Sequence, residues 1–113
     1  MNPLHEQFVA EARELVLQSS DDLIGLERDG FDPARIERIM RAFHTLKGSA
    51  GVVQLPAMSM MLHAAEDMMI AVQEGQLFPT SAVISDALSC LDLVSQWVDA
   101  FEATGELPQL AAD

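Results

Sequence analysis

One histidine in this 113-residue chain stands among residues suited to chemistry. His44 lies in the run Arg41-Ala42-Phe43-His44-Thr45-Leu46-Lys47-Gly48-Ser49-Ala50-Gly51. An imidazole becomes a useful nucleophile near neutral pH when another group holds one ring nitrogen and leaves the other free. Lys47 is the only lysine, and Arg35, Arg38, Arg41 and Lys47 are four of the six cations. They follow steps of three or six, with His44 in the same row. Charge placed this way suits an anion such as a phosphoryl group. It equally suits a helix whose cations offset neighbouring acidic helices. A second pair, His63 and Glu66, is three residues apart, so the two are neighbours on one helix flank. If their helix runs antiparallel to that of His44, Glu66 is placed to reach the imidazole and fix its tautomer. Spacing alone favours the plainer reading of two ordinary surface residues.

Gly48, Ser49, Ala50 and Gly51 follow His44 inside a segment of helical periodicity. Each mid-helix glycine costs about 1 kcal/mol relative to alanine. Close helix packing would offset that cost. So would access: without a side chain at Gly48, one turn beyond His44, a bulky partner reaches the ring. The two explanations are compatible.

The elements that must position these groups are helical throughout, since no stretch alternates with period two for long. The spacing predicts helices over about 4–28, 33–53, 56–74 and 81–103. Their stripes run through Phe8, Ala12, Leu15, Val16, Leu23 and Leu26, and then Ile36, Ile39, Phe43, Leu46, Ala50 and Val53. The third stripe comprises Met58, Met61, Leu62, Ala65, Met69 and Val72, and the fourth Ile84, Leu88, Leu91, Val94, Val98 and Phe101. Asn2-Pro3 and Asp32-Pro33 read as a cap followed by proline at the first helical position, and Thr80 and Ser81 as a further cap. Gly30, Gly75 and Gly105 sit where helices stop. The fold expected is all-α, an antiparallel four-helix bundle in up-down-up-down order, over residues 1–107, with a frayed tail at 108–113.

Composition narrows the function. Eighteen Asp and Glu against six Lys and Arg give a formal charge of −12. That argues against nucleic acid and anionic membranes as partners. Cys90 is the only cysteine, which excludes an internal disulfide and a cysteine zinc cluster. No apolar run approaches the roughly 20 residues of a membrane span, and the start lacks the features of a signal peptide, so a cytoplasmic location is expected. There is no P-loop and no protein-kinase signature set, so no autonomous use of ATP is expected. His5, His44, His63 and Glu66 are the possible metal ligands, but bundle di-iron sites repeat Glu-x-x-His, and this chain has one reversed His-x-x-Glu.

The run from Ala42 to Gly51 resembles the signature of histidine-containing phosphotransfer domains, in which lysine follows the histidine at three, glycine at four, and small residues come next. It is similar in particular to the amino-terminal phosphotransfer domains of chemotaxis histidine kinases of the CheA kind. That subfamily carries an early Phe-x-x-Glu-Ala-x-Glu-x-Leu pattern, here Phe8, Glu11, Ala12 and Glu14, with Val16 beside Leu15 where the template has its leucine. An Arg-Ala-x-His stretch (Arg41 to His44) and a later His-x-x-Glu pair (His63 and Glu66) also match. The resemblance covers about residues 6–105. It implies that His44 accepts phosphate on Nε2, that Glu66 holds Nδ1, that Lys47 meets the phosphoryl oxygens and that His63 extends the hydrogen-bond network. It also implies two partners: a histidine kinase catalytic domain that supplies the phosphoryl group from ATP, and a response-regulator receiver of the CheY or CheB kind that brings its own aspartate and Mg²⁺. No cofactor belongs to the chain itself.

A docking face around His44 is expected to include Arg41, Thr45, Gly48, Ser49 and Val52, with Leu17 and Ile24 as off-stripe apolar residues one heptad apart on the first helix. The sequence departs from the subfamily at Gln54-Leu55, where Gly-Phe is common, which bears on the turn between the second and third helices. The fifth helix common in such domains is expected to be absent or truncated. A stand-alone protein and an excised amino-terminal domain both fit. The competing function is a helical interaction module without phosphorylation, drawing on the seven methionines; Met58, Met61 and Met69 fit the core better.

Overall fold

Four helices account for most of residues 2–106, which are the residues described by this computed structural model. They are α1 (Pro3–Asp29), α2 (Pro33–Val52), α3 (Pro56–Gln73) and α4 (Ser81–Thr104). The expected boundaries agree to within a residue at each end. The tail expected at 108–113 lies outside the described residues.

The helices begin where the sequence places caps. The Asn2 side chain accepts from the His5 amide at 2.8 Å, and Asp32 accepts from the amides of Ala34 and Arg35 at 3.0 and 3.4 Å. Thr80 Oγ1 accepts from the Val83 amide at 3.3 Å. Each bond satisfies a donor that the first helical turn leaves without a partner. Proline follows the cap in α1 and α2, where its missing N–H costs nothing. At the other end of α4, Gly105 takes the left-handed conformation (φ 73°) and its N–H closes onto the Phe101 carbonyl at 2.7 Å.

Connections at 30–32, 53–55 and 74–80 are short, so successive helices run antiparallel. Helix α1 packs against α2 and α4, and α2 against α3. One apolar cluster fills the centre. Phe43, Leu46, Ile36 and Ile39 of α2 are sealed from solvent with Met58, Leu62 and Met69 of α3 and Leu91 and Val94 of α4. The stripe positions Leu15, Val16, Val53, Met61 and Leu88 are only partly buried, at the edges of this core. Val9, Ala87 and Trp97 are buried as well, which widens the stripes of α1 and α4.

The α2–α3 turn carries the one backbone departure. Gln54 is the only described residue other than glycine with positive φ, at 63°. A left-handed residue is at ease as glycine and strained by about 1–2 kcal/mol otherwise. The chain therefore keeps the turn geometry that suits glycine without the glycine, and secures it through the Leu55 amide bonded to the Ala50 carbonyl at 2.8 Å.

Candidate functional site

The position of His44 follows from that of Phe43. Successive residues on a helix point about 100° apart. Phe43 is fully buried, which fixes the rotation of α2 about its axis and turns the next side chain to the surface. The His44 side chain is 66% exposed. Opposite it, α3 presents Glu66, a buried carboxylate only 8% exposed. Glu66 Oε2 lies 2.7 Å from His44 Nδ1, and Glu66 Oε1 accepts from the Lys47 ammonium, also at 2.7 Å. Lys47 is placed for this because it stands one turn after His44, on the same side of α2.

Burial alone would push the Glu66 carboxyl upward. The hydrogen bonds from Lys47 and His44, with their charge, outweigh it and hold the group below the ordinary glutamate value. Glu66 is therefore a carboxylate at neutral pH. An ionised acceptor on Nδ1 requires a proton there, so in the neutral ring Nε2 carries the free lone pair. The arrangement is that of an imidazole oriented and polarised for attack through its exposed nitrogen.

A further contact supports Lys47 from below. Ser59 Oγ donates to the Lys47 main-chain carbonyl at 3.3 Å. Ser59 and Glu66 are seven residues apart, two turns along one face of α3. The same face of α3 thus touches Lys47 at its backbone and at its ammonium.

The remaining expected site residues separate into groups. Thr45, Gly48, Ser49 and Val52 all line one cleft of about 430 Å³ with His44, between α1 and α2. Neither Gly48 nor Gly51 has any heavy atom within 4 Å of where a Cβ would stand, so close packing within the chain does not explain these glycines. Gly48 lines the cleft beside His44, where the lack of a side chain leaves the ring open to approach, whereas Gly51 does not line it.

His63 does not join the site. Its exposed ring lies 3.4 Å, through Nε2, from Asp67 one turn further along α3, and no hydrogen bond links it to Glu66. Three residues fall about 60° short of a full turn. That angle takes Glu66 under α2 and leaves His63 at the rim.

The cationic row also resolves differently from an anion site. Arg35 bonds Asp29 at 3.0 Å and the Gly25 carbonyl at 3.2 Å, Arg38 bonds Asp22 at 2.9 and 3.1 Å, and Arg41 bonds Glu37 at 2.6 Å. Steps of three drift by about 60° each, so the row from Arg35 to Lys47 winds some 240° around α2. Only Lys47 reaches the His44 site, and the arginines offset acidic neighbours. A Cβ on Gly25 would lie 2.7 Å from Arg35 Cζ, so this glycine makes room for one of those pairs.

Leu17 and Ile24 are exposed but stand apart from His44. Leu17 lies in the groove between α1 and α4, beside Arg13, Val16 and Val98. It is six residues, about 240° of rotation, from Glu11, which faces α2. Ile24 is two turns on along the same side. Neither belongs to the face that surrounds the imidazole.

Among the described residues no three His, Cys, Asp or Glu side chains gather where they would hold a metal. His5 instead packs edge-on against Phe101, with ring centroids 5.0 Å apart. No helix among these residues is long and apolar enough to cross a membrane.

Two residues of the cleft were not singled out by spacing for it. Glu11 accepts from Ser49 Oγ at 2.7 Å, and Gln7 stands one turn before it. The sequence holds their signal, since Gln7 and Glu11 share an i, i+4 face of α1.

Comparison with known proteins gives the same geometry a lineage. The chain is 27% identical over 110 residues to the chemotaxis protein CheA of Treponema pallidum and 31% identical over 107 residues to that of Halobacterium salinarum. These matches cover 97% and 95% of this chain but only 14% and 16% of the relatives, so it spans about one seventh of their length. Among solved structures, the CheA phosphotransferase domain from Thermotoga maritima superposes with a TM-score of 0.85 at 26% identity, covering 90% of this chain and 99% of that one. The phosphorylated P1 domain of CheA3, solved in complex with CheY6 from R. sphaeroides, shares the fold with a TM-score of 0.88 at 17% identity, covering 96% of this chain and 85% of that one. The Hpt domain family matches residues 3–106, the whole bundle with His44 on its second helix, and the chain belongs to that family.

Proposed function

We propose that this domain is a phosphocarrier of chemotaxis-type two-component signalling, working in the cytoplasm, with His44 as the residue that carries the phosphoryl group. The observation that carries this reading is the 2.7 Å contact between Nδ1 of the exposed His44 ring and the buried Glu66 carboxylate. In the first step the Nε2 lone pair attacks the γ-phosphorus of ATP held by a separate histidine kinase domain, and the bond from that phosphorus to the ADP oxygen breaks. Nε2 gains the phosphoryl group while the Nδ1 proton stays on the ring. The imidazolium character that develops is stabilised by Glu66. In the second step an aspartate oxygen of a CheY- or CheB-like receiver attacks the same phosphorus, and the N–P electron pair returns to Nε2. The receiver brings the Mg²⁺ for that step, and the chain needs no cofactor of its own. Phosphoryl transfer rests mainly on positioning and charge stabilisation, which a rigid bundle supplies. The pairing of a CheA phosphotransfer domain with CheY6 in a solved relative supports the choice of receiver.

The test is radiolabel transfer from labelled ATP by a CheA-type kinase domain, beside a His44→Gln variant. Acid-labile, base-stable label on the wild type alone is expected. Label that persists in the variant, or a folded wild type that no histidine kinase labels, would overturn the assignment.

A further inference from the structure

Among the described residues, the cleft beside His44 holds a carboxylate with no cation to match it. Its walls are apolar: Leu4 and Phe8 on α1, Val52 at the end of α2 and Val53 just after it. Glu11 stands half-buried between them, its Oε1 fixed by Ser49 Oγ at 2.7 Å. That is its only hydrogen bond among the described residues, and a carboxylate has about four acceptor positions. No lysine or arginine lines the cleft. None is spare either. Arg13 is paired with Asp99 and Glu102, and Arg28 with Asp29. Arg35, Arg38, Arg41 and Lys47 are bound to Asp29, Asp22, Glu37 and Glu66. A partly desolvated carboxylate, held in one orientation and lacking a counter-charge, is completed by a cation from outside.

We propose that this α1–α2 cleft receives a lysine or arginine side chain of the protein that docks for phosphoryl transfer, its methylene stem against the apolar walls and its charged head on Glu11. The proposal rests on the phosphocarrier reading for the identity of the visitor, and on the cleft itself for its chemistry. A metal ion fits less well: one carboxylate is too few oxygen ligands, and apolar walls offer a hydrated ion nothing. A long cationic side chain uses both features. The charge also gives the cleft a direction. Phosphorylated His44 would add about two negative charges at its edge. The same visiting cation is then drawn by Glu11 and by the phosphoryl group together.

The test uses n-butylguanidinium chloride as an arginine mimic, titrated into the ¹⁵N-labelled protein, with n-butanol at matched ionic strength as the uncharged comparison. Butylguanidinium is expected to shift the amides of Gln7, Ser49 and Val52 at concentrations about tenfold lower than butanol does. Glu11→Gln is expected to erase that preference, and Glu14→Gln, at an exposed site outside the cleft, to keep it. Equal shifts with butanol on the wild type would overturn the proposal without recourse to any variant. So would an equal loss in both variants, which would assign the binding to diffuse surface charge. Phosphoramidate treatment of the wild type, read by ³¹P NMR, reports separately on His44. A ring that stays unphosphorylated there counts against the phosphocarrier reading. An indifferent cleft beside a phosphorylated ring counts against this proposal alone.

Discussion

Replacing Glu66 by glutamine keeps its volume and removes its charge, and the geometry makes the consequence specific. Glu66 accepts on both oxygens, from His44 Nδ1 and from Lys47 Nζ, at 2.7 Å each. Glutamine has one acceptor oxygen and one NH₂ donor. The lysine has only donors, so it claims the oxygen. The NH₂ group then faces Nδ1, which can accept only if the ring proton moves to Nε2. Glu66→Gln should therefore switch the His44 tautomer and occupy the nitrogen that attacks phosphorus. We expect phosphorylation at least tenfold slower than in the wild type, with the ring ¹⁵N shifts reporting the proton on Nε2. The stability cost follows from the same contacts. A hydrogen bond to a charged group is worth about 1.5–3 kcal/mol and a neutral one about 0.5–1.5 kcal/mol. Relief of carboxylate burial returns part of the loss. A net cost of about 1 kcal/mol corresponds to a fall in Tm of about 4 °C for a domain of this size. It also depends on pH. Glu66 is held below the ordinary glutamate value, so its contribution is complete above the unfolded value of about 4.3 and fades as pH falls through the lower folded one. Asp29, held low by the hydrogen bonds from Arg28 and Arg35, titrates alike in both proteins and cancels in the comparison. A variant that retained the Nδ1–H tautomer and the wild-type rate would refute the reasoning.

Gly48→Ala and Gly51→Ala should each stabilise the isolated domain by about 0.5–1 kcal/mol in urea denaturation, since a Cβ at either position meets nothing within 4 Å. Gly48→Leu should fold and yet pass its phosphoryl group more slowly to a receiver domain. Gln54→Gly should raise stability by about 0.5–1 kcal/mol in the same assay, because it removes the cost of a positive φ at a residue with a side chain. Burial pushes the Cys90 thiol up to about 11, so at pH 8 iodoacetamide should label the folded protein about a hundredfold more slowly than the urea-unfolded chain.

Periodicity made the bundle legible because each helix here buries a single stripe, and α1, α2 and α4 carry their own side-chain caps. Asp32 and Asn2 mark starts by chemistry that is local to the sequence. The pairing of His44 with Glu66 was only permitted by spacing, which favoured an ordinary surface glutamate; it was the family resemblance that assigned Glu66 to Nδ1, and the 2.7 Å contact agrees with that assignment. What spacing could not settle was rotation to within a third of a turn. His63 and Glu66 share a flank by count, yet one lies at the rim and the other beneath α2. The arginine row failed by the same measure, since steps of three accumulate an angle that a linear reading ignores. Leu17 and Ile24 were correctly exposed, but which neighbour their side of α1 meets depends on the order of helices around the bundle, and the stripe alone does not encode that.

The double use of Glu66 bears on how one lysine serves two states. In the structure Lys47 is committed to Glu66 Oε1, whereas the family resemblance assigns it to the phosphoryl oxygens. An ammonium has three donors, and the Glu66 bond uses one. The Lys47 side chain keeps 23% of its surface open, so its other donors have access to an incoming anion. In the structure the lysine offsets the charge of a buried carboxylate; on the proposed phosphocarrier reading, the imidazolium that develops on phosphorylation would take over part of that task through Nδ1. Charge that arrives on one side of the ring is thereby matched by charge released on the other. On that reading a single cation next to the imidazole serves an otherwise strongly acidic domain, while Arg35 and Arg38 tie α2 to Asp29 and Asp22 of α1.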